Sequence, residues 1–199
     1  MPLVFEKQIT SAKKLAVWDI TEPFDFFIEK LNLQHDPNRN EQRQLEQAAA
    51  MHLLNVLSGR DLHLLLDKDQ FGKPFIKDQT CTVSFSHSKN LVACLFCEEG
   101  SAVGVDIEYR RDNIHLLAKK FLSENDQTGF EGSIHQQIAW GAKEVLYKIY
   151  GIKELNFIQH LHLFFENGLL FGLISKENHE AKYQLEHTLI ENFVLVWNV

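Results

Sequence analysis

The segment from Ile134 to Tyr150 constrains this chain more than any other. Ile138, Ala142, Val145 and Ile149 recur at helical spacing and form one apolar stripe, and Gly151 ends the run. Trp140, Glu144, Tyr147 and Lys148 lie away from the centre of that stripe. An apolar stripe needs a covering surface, and strand-like runs flank it in sequence: Ala102 to Glu108 before it, then Phe157 to Glu166, Leu169 to Ser175 and Lys182 to Val199 after it, the last broken by Glu191-Asn192. Helices and strands in this order predict an α+β fold.

The first half follows a similar rhythm. Leu15 to Phe27 mixes strand and turn signals around the breaker Pro23. Asn40 to Leu57 reads as a helix with Leu45, Ala49, Leu53, Val56 and Leu57 on one face, stopped by Ser58-Gly59. Leu62 to Leu66 reads as a strand, and Asp69 to Pro74 as a turn. Thr82 to Phe85 and Leu91 to Phe96 read as paired strands around a Ser86-His87-Ser88-Lys89-Asn90 loop. In the second half, Ile114 to Phe121 reads as helical, and Ser123 caps a short helix through Glu124 and Asp126. The expectation is two similar α+β halves, residues 1–100 and 101–199, meeting near Gly100.

A length of 199 residues suits one ordinary domain or two small ones. At 45% hydrophobic and 24% charged residues the composition is globular. No stretch approaches the roughly 20 apolar residues that span a bilayer. The run Met1 to Lys7 lacks the charged start and apolar core of a signal peptide. Cys81, Cys94 and Cys97 read as buried thiols of a reducing cytoplasm. The histidines form no helical His-x-x-x-His pair, which argues against zinc. A net charge of −7 argues against nucleic acid, although local lysines can still dominate a cleft for a phosphate-bearing ligand.

Several groups then stand out, each with a plain reading beside a chemical one. Asp106 and Glu108 alternate with Val103, Val105 and Ile107, so the two acids share one strand face and the apolar residues take the other, expected to face the core. The acids are either a solvated strand end neutralised by Arg110 or Arg111, or ligands of a hard cation such as Mg²⁺. Glu144 and Lys148 are one helical turn apart. They are either a helix ion pair or, with Lys143, a carboxylate and two phosphate-binding ammonium groups. Gly72-Lys73-Pro74 suits a tight turn, and its lysine is either solvated or a ligand contact. Ser86-His87 lacks the surroundings of a hydrolase nucleophile and makes better sense as a pair of diphosphate donors.

In order and spacing these groups are specific. From about Arg43 to Tyr150 the chain resembles an Sfp-type 4′-phosphopantetheinyl transferase, on Gly72-Lys73-Pro74, Ser86-His87, Gly104 to Glu108 and Trp140 to Lys148. The resemblance implies two pseudo-twofold α+β halves with the active site in the cleft between them. It implies that Asp106, Glu108 and Glu144 hold Mg²⁺. Arg43, Gly72, Lys73, Pro74, Ser86, His87, Lys143 and Lys148 would contact coenzyme A, and Glu144 and Lys148 would be catalytic. A serine of an apo acyl or peptidyl carrier protein would attack the diphosphate, receive the phosphopantetheine arm and release adenosine 3′,5′-bisphosphate. The enzyme would be a cytoplasmic monomer without nucleic-acid or membrane partners. Lys119 and Lys120, with Leu116, Leu117 and Phe121, are candidates for carrier docking. Val145 departs from the family pattern, where Ala or Ser is common, and the first 40 residues match poorly. Two other readings stay open: a non-catalytic coenzyme A or carrier-protein binder, and a metal-dependent phosphoesterase.

Overall fold

The break in the chain falls between Val103 and Gly104. It separates two units, Met1–Val103 and Gly104–Val199, each an antiparallel sheet carrying an 18-residue helix. The α+β class expected from the sequence holds. The structure is a computed structural model that describes residues 2–127, 129–177 and 179–199, so Met1 of the N-terminal run lies outside the described residues.

The first unit contains β1 (Leu3–Gln8), β2 (Lys13–Asp19), α1 (Phe24–Leu31), α2 (Glu41–Ser58), a 3₁₀ turn (Leu62–Leu64), β3 (Leu66–Lys68), β4 (Pro74–Ile76), β5 (Thr82–Ser88) and β6 (Leu91–Cys97). Its main sheet runs β1-β2-β6-β5, and β3 pairs with β4 alone. The uninterrupted apolar run Leu91–Cys97 is buried along its whole length, as suits an inner strand. α2 begins where the Asn40 side chain accepts the Arg43 N–H at 2.9 Å, and it ends at Gly59. Trp18, Phe27, Leu31, Leu53, Leu54 and Phe96 fill this unit's core.

Three local expectations need correction. The residues after Pro23 form α1, because Phe27 and Leu31 fall one helical turn apart and both bury. Leu62–Leu64 is a 3₁₀ turn, where Asn55 Oδ1 captures the His63 N–H at 3.1 Å and holds the chain bent. β5 continues through Ser86, His87 and Ser88, so these residues belong to a strand and only Lys89-Asn90 turns the hairpin.

The second unit contains β7 (Val105–Tyr109), α3 (Ile114–Leu117), a 3₁₀ turn (Ala118–Lys120), α4 (Glu124–Gln127), α5 (Ser133–Tyr150), β8 (Leu161–Glu166), β9 (Leu169–Lys176), β10 (His179–Ile190) and β11 (Phe193–Asn198). The expected helix from Ile114 to Phe121 is thus two short turns of different type. Ser123 and Asp126 exchange bonds as a capping box: the Asp126 N–H reaches Ser123 Oγ at 3.2 Å, and the Ser123 N–H reaches Asp126 Oδ2 at 2.9 Å. The sheet order is β7-β11-β10-β9-β8. Both units therefore place an early strand beside the last one, and the last beside the one before it: β2-β6-β5 and β7-β11-β10. The likeness in strand order ends there, because β1 extends one sheet and β9 and β8 extend the other.

α5 lies unusually close to its sheet. A Cβ on Gly104 would stand 2.6 Å from the Val145 carbonyl oxygen and 2.9 Å from Ile149 Cγ1. One on Gly141 would meet Val196 Cγ2 at 2.8 Å, and one on Gly172 would meet Leu146 Cδ1 at 2.7 Å. Glycine in a helix interior costs about 1 kcal/mol against alanine, and at Gly141 that cost permits the contact. The expected stripe of Ile138, Ala142, Val145 and Ile149 is buried with Ala139 and Leu146.

Asp106 and Glu108 do share a face of β7, but it is the face turned towards α5. They lie in register with Val196 and Val194 of β11, which pack into the core under α5. Val105 and Ile107, expected on the core side, lie on the other face. Alternation could not assign these sides, because Val105, Asp106 and Ile107 are all buried.

Gly104→Ala is expected to destabilise the protein by about 2 kcal/mol, since the added methyl meets backbone rather than a movable side chain. A urea melt compared with that of the parent measures the loss.

Candidate functional site

In the second unit, α5 and β7 face each other with charged groups. One helical stripe carries Gln137, Gly141, Glu144 and Lys148, at steps of four, three and four residues. Lys148 Nζ donates to Asp106 Oδ1 at 2.7 Å and to the Val105 carbonyl at 2.8 Å. The Glu144–Lys148 helix ion pair does not form, because Lys148 turns to the strand instead. On β7, Glu108 Oε2 is 3.2 Å from Arg111 Nη2, so one of the two arginines named as neutralising partners does pair with it. The Arg111 N–H donates to Gln137 Oε1 at 3.2 Å, which ties the loop after β7 to the start of the stripe.

Glu144 has no such partner at ion-pair distance among the described residues. Burial, reinforced by the charge of Asp106, raises its pKa to about 7. Lys148 opposes the shift, Glu108 adds to it and Arg111 opposes it. Burial and then Asp106 also raise Glu108. The three carboxylates thus feel one another, yet no three His, Cys, Asp or Glu side chains among the described residues converge as a finished metal cluster. Two of the carboxylates are turned to side-chain cations. The donor set still suits a hard divalent cation: the carboxylates are hard oxygen ligands, and a cation would relieve their repulsion.

Lys143 does not join this group. Its side chain is 0% exposed, and Nζ donates to Asp126 Oδ2 at 2.6 Å and to the carbonyls of Phe157 and Leu161 at 2.8 Å each. All three ammonium protons are used inside the protein. This corrects the expectation of a phosphate contact at Lys143. Asp126 Oδ1 also accepts the Leu163 N–H at 2.9 Å. Burial pushes the Asp126 carboxyl up, but bonds from Lys143, Leu163 and Ser123 outweigh it and hold the carboxyl below its ordinary range.

In the first unit, residues from separate stretches of sequence line one groove of about 730 Å³. Arg43, Gly72, Pro74, Ser86 and His87, all singled out from the sequence, are among them. Met51, Phe85 and Val92 supply apolar walls. His87 Nε2 is 3.1 Å from Glu46 Oε2 on α2, with the imidazole 59% exposed. Gly72, at φ +88°, makes the turn between β3 and β4, and Asp69 Oδ1 accepts the N–H of Phe71 at 2.8 Å and of Lys73 at 2.9 Å. Lys73 itself is half-buried on this turn. Burial lowers its pKa, and Asp69 partly offsets that.

Arg39 and Lys68 also line the groove, and the sequence reading missed both. Gln44 explains Arg39: its amide donates to the Asp36 and Arg39 carbonyls at 2.9 and 3.2 Å and accepts the Asp36 N–H at 3.0 Å, fixing that loop at the groove. Lys68 lies opposite Pro74 in the β3–β4 pair, a neighbour that the turn at Gly72 places there. Of the docking candidates, Leu116, Lys119 and Lys120 are exposed, Leu117 is half-buried and Phe121 is buried. The three cysteines are buried thiols. No helix of the described residues is long and apolar enough to cross a membrane.

No protein-family model matches the chain, and no curated protein matches it.

Two outcomes follow from the buried charges. Asp126→Asn strands the Lys143 ammonium and should cost about 3–5 kcal/mol, while Asp126→Leu with Lys143→Met should cost less than either single change. A double-mutant cycle by denaturant melts reads this. Glu144 is raised in the fold above its unfolded value of 4.5, so its protonated form is the stabilised one. Its contribution is full below pH 4.5 and is lost as pH rises through about 7. In chelator-treated buffer Glu144→Gln should therefore be more stable than the parent at pH 8, by about 2 kcal/mol after discounting for partial exposure, and equal to it near pH 4.

Proposed function

We propose that this protein is a 4′-phosphopantetheinyl transferase, moving the phosphopantetheine arm of coenzyme A to a serine of an apo acyl or peptidyl carrier protein. The observation that carries this reading is the groove. Gly72 and Pro74, Ser86 and His87, and Arg43 come from separate stretches of the chain and line one wall set with Arg39 and Lys68. In a chain of net charge −7, that local excess of cations suits a ligand with several phosphates.

The second unit supplies the acid–base part. Asp106, Glu108 and Glu144 would hold Mg²⁺, which supplies neutralising charge for the diphosphate. Glu144 is the carboxylate placed to take the serine proton, directly or through a water, once the ion relieves the burial and repulsion that raise its pKa in the free protein. The serine oxygen forms a bond to the pantetheine-side phosphorus, and the bond from that phosphorus to the bridging oxygen breaks. Adenosine 3′,5′-bisphosphate leaves with the electron pair. Lys148, beside Asp106, offers positive charge to the transferring group.

A second reading, binding without transfer, is favoured by the same Lys148–Asp106 pair, which neutralises a carboxylate without any metal.

Incubation with coenzyme A, Mg²⁺ and a panel of apo carrier proteins decides between them. Transfer adds one phosphopantetheinyl mass to a carrier. A phosphoesterase would release phosphate products without a carrier, and a binder would do neither. Arg43→Ala and Lys68→Ala are each expected to raise the KM for coenzyme A about tenfold with little loss in kcat, a loss of ~1.4 kcal/mol of binding shared by ground and transition states.

A further inference from the structure

Three carboxylates, Asp106, Glu108 and Glu144, interact with two side-chain cations, Lys148 and Arg111. The cations are held differently. Lys148 is anchored twice, by Asp106 Oδ1 at 2.7 Å and by the Val105 carbonyl at 2.8 Å. The Arg111 guanidinium is 44% exposed, and among the described residues its ion pair is to Glu108 alone. The Arg111 backbone is fixed, because its N–H donates to Gln137 Oε1, and Gln137 is buried on α5. Its side chain can therefore leave Glu108 without the loop moving.

Charge gives the direction of that exchange. Three ionised carboxylates and Lys148 sum to −2, which one divalent cation balances. Arg111 held in place would then be a surplus positive charge beside that cation. We infer that Arg111 is a built-in counter-cation for Glu108, displaced from it when a divalent ion binds and then exposed to an anionic substrate. Arg111 thereby lowers the affinity of the carboxylates for the ion and exchanges one carboxylate for a phosphate oxygen, which a guanidinium grips well. This inference rests on the carboxylates holding a divalent ion, as in the proposed function.

Mn²⁺ binding to the full chain, followed by electron paramagnetic resonance without coenzyme A, tests it. Arg111→Gln should tighten Mn²⁺ binding by a factor on the order of 5, the scale of a half-exposed ion pair. Arg110→Gln makes the same change in net charge from an exposed side chain, with no ion pair to Glu108 at 4 Å among the described residues, and should tighten it by less than twofold. Equal effects of the two substitutions would reduce Arg111 to a general charge effect and overturn the inference. Unchanged or weaker binding in Arg111→Gln would overturn it too. A parent protein that binds no Mn²⁺ would remove the three-carboxylate reading along with it, whereas binding by the parent with no difference in Arg111→Gln would remove the inference alone.

Discussion

The second unit depends on how closely α5 lies against β7. Gly104, just before β7, and Gly141, on α5, lack the Cβ atoms that would collide with the Val145 carbonyl and with Val196 of the neighbouring β11. At this separation Lys148 reaches both the side chain of Asp106 and the backbone of Val105. Glu144, one turn earlier on the same stripe, is brought into the field of Asp106 and Glu108. A larger residue at Gly104 would push against the Val145 carbonyl and Ile149, and so against the turn of α5 that carries Glu144 and Lys148. The raised pKa of Glu144 comes from its burial and the nearby charge of Asp106, both set by how closely α5 lies on the sheet.

Charge is arranged unlike in the two units. In the first, cations from the loop before α2, from α2 itself and from β3 line a groove with apolar walls, and the carboxylate of Glu46 is paired with His87. In the second, carboxylates are crowded and cations are rationed. In a chain of net charge −7, keeping the cations of the first unit away from the crowded carboxylates of the second leaves each group with a local field of its own sign.

Much of this was legible in the sequence. Asn40, Gly59 and Gly151 mark the ends of two long helices, and alternation put Asp106 and Glu108 on one face. Other features were not legible, for physical reasons. Which face of β7 meets α5 was hidden because both faces are buried, so hydropathy carries no contrast. α1 was hidden because it is short, starts directly at Pro23 without a side-chain cap, and opens on the dense aromatic run Phe24, Phe26 and Phe27. Arg39 reaches the groove through bonds from Gln44, and nothing local to Arg39 announces that.

The opposite fates of Lys143 and Lys148 were present in the spacing. At 3.6 residues per turn, five residues turn a helix through roughly 140°, so these two lysines cannot serve one ligand on one side of α5. Glu144 and Lys148 differ by roughly 40° and can. Once Asp106 draws Lys148 to the β7 side, Lys143 must point elsewhere, and it meets α4 and the start of β8. There a lone ammonium would be ruinous, so Asp126 and two carbonyls complete it. The pair locks the rotation of α5 about its axis, and that rotation aims Glu144. A lysine beside a candidate base can thus serve it from the far side of the helix by fixing its direction, without touching any ligand.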